Sequence, residues 1–478
     1  MRQNCELPAG LRRFALALVV MAVVGALAAC VELGEPEPVL TTAAGHGVET
    51  RSERLARMTR GSRGASTPDF GGVAIADEPS AVLVARQIFE QGGNAADAAA
   101  ALYFALSVTY PAAAGLGGGG VCLARNAEER TVESIAFLAR SPRGGGGVAI
   151  PGNVRGFALL QSRYGRRPWS TVVGPAERMA ATGFPVSRAG ARQLADAAPL
   201  IAASPSLNRM YAGGRELDYV TRGQMVGTLA QIRNQGVNGF YAGQTARALV
   251  DSAREAGGAL SLDDLRDYAA EAAPAQMLSA SFGAVAVPSG ELGAGVFAAA
   301  LWRDIETASP ADLAEAARRT AAALGVASGL DGDFGSTAFA TVDGQGGAVA
   351  CAVTMNGAFG VRHAAEGTGV VLAANPQTAP HGIASAFLMP VIVTSSNGSR
   401  LFFSGAGAGA PKGSAAIQHS AKSAAAGIEA VAAALAATPA DARSPAHAIS
   451  CPAGEAAPCG FTAGPRGDGM GIAAAPGS

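Results

Sequence analysis

The sequence predicts an α+β fold, and three observations carry that expectation. From Gly71 the chain reads strand, helix, helix, strand. From Ser336 two alternating apolar segments on either side of a Gly-rich turn read as a β-hairpin. The composition, 49% hydrophobic and 15% charged over 478 residues, is that of a chain with a sizeable buried core and excludes a disordered one. Its length fits one large or two to three ordinary domains. Against 37 acidic side chains stand 36 basic ones, for a formal charge of −1. That balance lacks the basic excess of a nucleic-acid-binding protein. Lys412 and Lys422 are the only lysines, so no polybasic membrane patch is expected.

The N-terminus reads as an address. Arg2, Arg12 and Arg13 precede an apolar run from Phe14 to Leu27, which ends in Leu27-Ala28-Ala29-Cys30. A positive segment, an apolar segment and small residues before a cut site predict a secretory signal over residues 1–29. The run is shorter than the ~20 residues that span a bilayer. The small residues before Cys30 also resemble a bacterial lipobox, in which the cysteine is acylated and becomes the mature N-terminus. Val31 in second place resembles outer-membrane sorting. The expectation is a lipid-anchored chain on the periplasmic face of a bacterial envelope, at the outer rather than the inner membrane. Residues 30–70 mix Pro, Glu, Thr, Gly and Arg without period and predict a flexible tether.

The body begins with Gly72-Val73-Ala74-Ile75-Ala76, a short apolar strand. Pro79-Ser80 starts a helix with Val82, Leu83, Ile88 and Phe89 on roughly one face, and Gly92-Gly93 stops it. Asn94, with Asp97 three residues on, is placed to cap the next helix, which runs to about Thr109. Gly115 to Gly120 then lead into a strand at Val121, and so many glycines imply close backbone approach or positive φ. Neither Gly144–Gly147 nor Gly405–Ser414 satisfies GxxxxGK[ST], so no nucleotide site is expected. No CxxC or HExxH occurs among the cysteines and five histidines, so neither a metal nor a cofactor is expected. Cys122 and Cys351 lie in apolar segments and predict buried thiols. Cys451 and Cys459 flank a Pro/Gly loop in an exported chain and predict a local disulfide. Ser414 to about Ala442 reads as one Ala-rich helix followed by a loop.

In the hairpin, Ser336 to Asp343 alternate as a strand, Gly344 to Gly347 turn, and Ala348 to Thr354 return. With Asp343 paired to Ala348, antiparallel register sets Thr337 opposite Thr354, and Asn356 just beyond Ser336. Hydroxyls and an amide thus cluster at the open end.

At Asn94-Ala95-Ala96-Asp97-Ala98-Ala99 and Gly115-Leu116-Gly117-Gly118-Gly119-Gly120 the sequence resembles the gamma-glutamyltranspeptidases. The likeness continues through Ile150-Pro151-Gly152-Asn153, Tyr164-Gly165-Arg166-Arg167-Pro168-Trp169, Gly183-Phe184-Pro185, Gly239-Phe240-Tyr241 and Leu262-Asp263-Asp264-Leu265, and ends in a fragment near Pro465-Arg466-Gly467-Asp468. It implies a four-layer αββα sandwich of the N-terminal nucleophile hydrolase type. It also implies a precursor that cuts itself before a catalytic hydroxyl residue, giving a large part over 71–335 and a small part over 336–478 that stay associated. Counting back from Asp343 places that nucleophile on Ser336, whereas residue type favours Thr337. The expectation is Thr337, with Ser336 as the alternative. A freed α-amine, with a pKa of roughly 7.7–8, would serve its own side chain as base. Asn356, in Thr354-Met355-Asn356-Gly357-Ala358-Phe359-Gly360, matches the asparagine that orients the nucleophile, beside Thr354.

The implied activity is transfer of a γ-glutamyl group from a small glutathione-like molecule to water or an amino acid. Several positions depart from the family pattern. Phe137 is followed by Leu138, so Arg140 is the nearest candidate for the substrate carboxylate. Ala338 stands where a histidine is usual, and no carboxylate lies near Ala373–Pro376. Phe387 and its neighbours replace a serine pair before Pro390, and the oxyanion element is approximated by Gly405–Gly409 with Gly407 and Gly409. These departures leave open an amidase or acylase of other specificity, or an uncleaved lipoprotein that only binds a ligand.

Overall fold

The expected first strand forms as β1 (Gly72–Ala76), buried throughout. This is a computed structural model, which describes residues 71–475 apart from 293–294, 307, 327–328, 331–333, 378–383, 439–443, 452–458 and 465–468. The signal over 1–29, Cys30, the tether over 30–70 and the fragment Pro465–Asp468 lie outside the described residues.

Pro79 opens helix α1 (Pro79–Glu90), where its missing N–H leaves no bond unmade. Glu78 caps the helix by accepting from the Ser80 N–H. Helix α2 (Ala95–Thr109) starts on a reciprocal capping box: Asn94 accepts from the Asp97 N–H, and the Asp97 carboxylate accepts from the Asn94 N–H. All 15 residues of α2 are buried, which is why the segment is apolar on every side rather than along one stripe.

Apart from two short ribbons, Phe184–Pro185 with Tyr219–Val220 and Ala364–Ala365 with Val370–Val371, the described strands form two antiparallel sheets. Sheet A joins β1, β2 (Gly119–Asn126), β3 (Thr131–Phe137), β4 (Glu271–Pro274), β7 (Ser336–Asp343), β8 (Ala348–Thr354) and β13 (Met470–Ala474), in the order β13-β1-β7-β8-β2-β3-β4. Sheet B joins β5 (Gln276–Ala280), β6 (Gly283–Val287), β9 (Met389–Thr394), β10 (Leu401–Gly407), β11 (Ala446–Ser450) and β12 (Gly460–Ala463), in the order β12-β11-β10-β9-β6-β5. Three cores divide the layers. Helices α1 and α2 cover one face of sheet A, meeting Ala74, Phe339 and Val353. Helices at Gly295–Asp304, Leu313–Ala323 and Pro411–Ala421 cover the outer face of sheet B, meeting Met389, Val391 and Phe403. Between the sheets lie Val73, Ile75, Val121, Ala338, Ala352, Ile392 and Ala406. The result is the αββα sandwich.

Three expectations need correction. The hairpin register is one residue off: Ala348 pairs Val342, and Thr354 pairs Ser336, not Thr337. The cause is Asp343, whose carboxylate accepts from the Gln345 and Gly347 N–H groups, while its own N–H bonds to the Gly347 carbonyl. That side-chain turn sets Asp343, the last residue of β7, opposite Gly347 rather than Ala348. Cys122 and Cys351 are not free thiols. They sit opposite each other on β2 and β8 and are joined as a disulfide. The Ala-rich run after Ser414 is not one helix but two, Pro411–Ala421 and Ile428–Ala436, broken at Gly427, whose φ is +95°. Cys451 and Cys459 are also bonded.

The glycine run shows why side chains are missing there. A Cβ at Gly117 would stand 2.2 Å from the Val371 carbonyl oxygen, and one at Gly119 would stand 2.1 Å from the Ala139 nitrogen.

Candidate active site

The register lines up one row of residues across sheet A. Ser336 on β7 faces Thr354 on β8, and Thr354 faces Gly119 on β2. Gly120 pairs Phe137, so Leu138, just past β3, falls beside Gly119. Directly opposed residues share a face, and two positions along lies the row Ala338, Ala352, Val121, which packs between the sheets. Ser336 therefore looks into the inter-sheet space. Thr337 alternates to the helix side with Phe339.

The environment of Ser336 is a closed set of hydrogen bonds. Its Oγ lies 2.9 Å from Thr354 Oγ1 and 3.3 Å from the Phe334 carbonyl. Thr354 Oγ1 accepts from the Asn356 N–H at 3.0 Å and donates to the Phe334 carbonyl at 2.8 Å. The Gly335 carbonyl, on the peptide bond just before Ser336, accepts from the Met355 N–H at 2.9 Å and lies 3.3 Å from Thr354 Oγ1. Gly335 holds φ +53°, and a Cβ there would stand 2.2 Å from the Gly357 carbonyl oxygen. Only glycine fits this conformation next to that backbone.

Residues beyond β8 shape this cradle. Asn356, Phe359 and Arg362 all have φ between +56° and +60°. Asparagine tolerates that region, whereas a phenylalanine pays about 1–2 kcal/mol for it. The Phe359 ring is fully buried, 5.1 Å from the Tyr211 ring, and this burial offsets the strain. Asn356 gives its Nδ2 to the Ala374 carbonyl at 2.9 Å, while its buried Oδ1 has no hydrogen-bond partner among the described residues.

Thr337, expected as nucleophile, is turned away. It is 0% exposed against 9% for Ser336, and its Oγ1 donates to Asp77 Oδ2 at 2.7 Å. Asp77, just past β1, takes His447 Nε2 at 3.0 Å on its other oxygen. Neither residue stood out in the sequence. Asp77 ends an apolar strand, which offered a faint signal, whereas His447 comes from sheet B and offered none.

The substrate candidates are not gathered at Ser336. Arg140 is half-exposed, ion-paired with Glu271 and placed over the Tyr268 ring at 5.2 Å. Gly407 ends β10, with a virtual Cβ 2.2 Å from the Gly413 carbonyl oxygen, and Gly409 turns with φ +85° into the helix at Pro411. No hydrogen bond among the described residues joins Ser336 to Arg140, Gly407 or Gly409. Among the described residues no group of three or more His, Cys, Asp or Glu is placed to hold a metal ion. Away from the row, burial pushes the Glu78 carboxyl up to about 7, against the opposing hydrogen bond from the Ser187 hydroxyl at 2.7 Å.

An αββα sandwich in which a hydroxyl at the start of a central strand faces the partner sheet has the architecture of the N-terminal nucleophile hydrolase fold. The cephalosporin acylase of Bacillus halodurans shares it, with a TM-score of 0.66 over 86% of this chain and 97% of that one, at 17% identity. Residues 81–302 match the family model of gamma-glutamyltranspeptidase. Over 230 residues the chain is 31% identical to scoloptoxin SSD14 of Scolopendra dehaani, covering 42% of this chain and 40% of that protein. Over 228 residues it is 31% identical to the glutathione hydrolase proenzyme of Pseudomonas aeruginosa, covering 43% and 40%. Over residues 81–302 the chain is thus similar to the gamma-glutamyltranspeptidase family. These matches span about 40% of the length of those two relatives, and the family match ends before β7.

Proposed function

We propose that the chain is a self-processing amide hydrolase and acyltransferase whose nucleophile is Ser336. The observation that carries this is the pairing of Ser336 Oγ with Thr354 Oγ1 beside a Gly335 carbonyl that already accepts an N–H. In the first step Ser336 Oγ attacks the Gly335 carbonyl carbon, and its proton is relayed by the Thr354 hydroxyl to the departing Ser336 nitrogen. The Met355 N–H stabilises the charge developing on the carbonyl oxygen. The Gly335–Ser336 C–N bond breaks, the nitrogen leaves as an amine, and water hydrolyses the resulting ester. The freed α-amine then acts as base for Ser336 Oγ in the second reaction. Attack on a substrate amide gives an acyl-enzyme, and water or an amino acid releases the acyl group. Asn356 Oδ1 is available to accept from that amine.

In this reading residues 71–335 form the large fragment and 336–478 the small one. The Cys122–Cys351 disulfide then ties them covalently. Lipid on Cys30, after a signal over 1–29 and before a tether over 30–70, would hold the enzyme at the periplasmic face, at the outer membrane. The disulfides suit that oxidising compartment.

The family likeness makes a γ-glutamyl amide of the glutathione type the acyl donor. One observation favours a second specificity. Leu138 occupies the far end of the row from Ser336, its backbone folded with Ala139 over Gly119, and packs against the apolar core between the sheets. Arg140 is meanwhile engaged by Glu271. An amide carrying an apolar acyl group would match that wall better than one carrying a free α-carboxylate. A panel of chromogenic anilides, γ-glutamyl against apolar acyl, tests both readings on the mature protein. Activity on either class that disappears in Ser336→Ala supports amide acyl transfer, and the ranking selects the acyl group. An uncut chain inactive on all would favour a binding lipoprotein instead.

A further inference from the structure

We propose that Thr337, Asp77 and His447 form a buried hydrogen-bond chain that positions Ser336, so that Thr337 serves the reaction as a positioning residue rather than as its nucleophile. The inference rests on the self-processing reading and deepens it. Thr337 Oγ1 donates to one Asp77 oxygen at 2.7 Å, and His447 Nε2 meets the other at 3.0 Å. Asp77 and Thr337 are 0% exposed and His447 2%. A carboxylate so deeply buried is costly unless donors surround it, so its placement here needs a reason beyond packing.

The reason lies in what scission does to β7. Before the cut, Ser336 is held on one side by its peptide bond to Gly335 and on the other by the strand. Afterwards it is a chain terminus, and strand termini fray unless tied down. The ladder to β8 and the Ser336–Thr354 hydroxyl pair fix it on one side only. The Thr337–Asp77 bond fixes the adjacent residue from the opposite side, toward β1. Asp77 comes from the part of the chain before the cut, whereas Thr337 and His447 come from the part after it. One carboxylate of the large fragment is thus clamped by two groups of the small one.

The chain also reaches the other wall of the site. His447 lies on β11 opposite Ala406 of β10, next to the turn that carries Gly407 and Gly409. Through Asp77 the start of β7 in sheet A and the end of β10 in sheet B are tied at one level. A valine at 337 would fill the same volume and keep β-propensity, so the hydroxyl is what the argument depends on.

The test compares Thr337→Val, Thr337→Ser, Asp77→Asn and the double Thr337→Val/Asp77→Asn in the full chain. The half-life of the precursor is read on reducing gels, and the thermal midpoint is read in a non-cleaving Ser336→Ala background. The expected result is a self-cleavage rate at least tenfold lower in Thr337→Val and in Asp77→Asn, and within threefold of wild type in Thr337→Ser. The double variant should be no slower than the slower single, as coupled members of one chain require. The thermal midpoint should be lower in Thr337→Val, which leaves one Asp77 oxygen without its donor, than in Thr337→Ser; cleavage that stays slow in Thr337→Val at temperatures far below that midpoint separates positioning from stability. Wild-type cleavage in Thr337→Val, or a Thr337→Ser variant no faster than Thr337→Val, would overturn this inference alone. A wild-type chain that stays uncut, or one whose new N-terminus is Thr337, would overturn the self-processing reading at Ser336 with it.

Discussion

At the scale of single residues, the proposed cleavage depends on the pair Gly335 and Ser336. Gly335 is the acyl side of the proposed cut, and its φ of +53° under the Gly357 carbonyl leaves no room for a Cβ. Gly335→Ala should slow self-cleavage at least tenfold, because about 1–2 kcal/mol of left-handed strain is added before any displacement of Gly357. The precursor half-life on reducing gels checks this, with unchanged cleavage as the contrary result. Thr354→Val should have a similar effect, since it removes both the acceptor for Ser336 Oγ and the donor to the Phe334 carbonyl. The choice between Ser336 and Thr337 was not legible in the sequence. Two adjacent hydroxyl residues on a strand face opposite ways, and which one faces the partner sheet depends on register. The register in turn depended on Asp343 folding its own side chain into the turn. The closeness of Thr354 and Asn356 to Ser336 was legible because they follow on the same hairpin at short range.

At the scale of elements, helix α1 offers a pH test. Burial raises the Glu78 carboxyl to about 7 from 4.5. In the window between those values the folded state binds the proton and the unfolded state has released it. The group's stabilising contribution is therefore complete below about 4.5 and is lost as pH rises through about 7. The difference corresponds to about 3 kcal/mol at most. The thermal midpoint of wild type should accordingly fall relative to Glu78→Gln between pH 5 and pH 8. A midpoint difference that stays flat across that range would contradict the burial argument. The helices themselves were largely readable: the Pro79 start, the Gly92 stop and the Asn94–Asp97 box are local signals, decided by backbone chemistry within four residues. The break at Gly427 was hidden, because alanine runs carry no period to show where one helix ends and the next begins.

At the scale of the whole molecule, the sandwich is stitched by contacts that no local pattern announces. Cys122 and Cys351 are 229 residues apart, and each looked like a core thiol in an apolar strand. Asp77 and His447 meet across two sheets from positions still further apart. The αββα architecture was legible only through family likeness, since it depends on how distant strands assort rather than on any one of them. The disulfide makes a prediction of its own: the processed protein should run as one band without reductant and as two with it. Two bands under both conditions would show that Cys122 and Cys351 are not bonded. Replacing both cysteines with alanine should cost about 2–5 kcal/mol of stability, by loss of a long-loop crosslink, read as a lower denaturation midpoint. The central claim, that this fold cuts itself to free Ser336, is tested most directly by intact mass and N-terminal sequencing of the reduced, purified chain. The account predicts two fragments with a new N-terminus at Ser336, and a single intact chain in Ser336→Ala. A new terminus at any other residue, or one uncut wild-type chain, would contradict it.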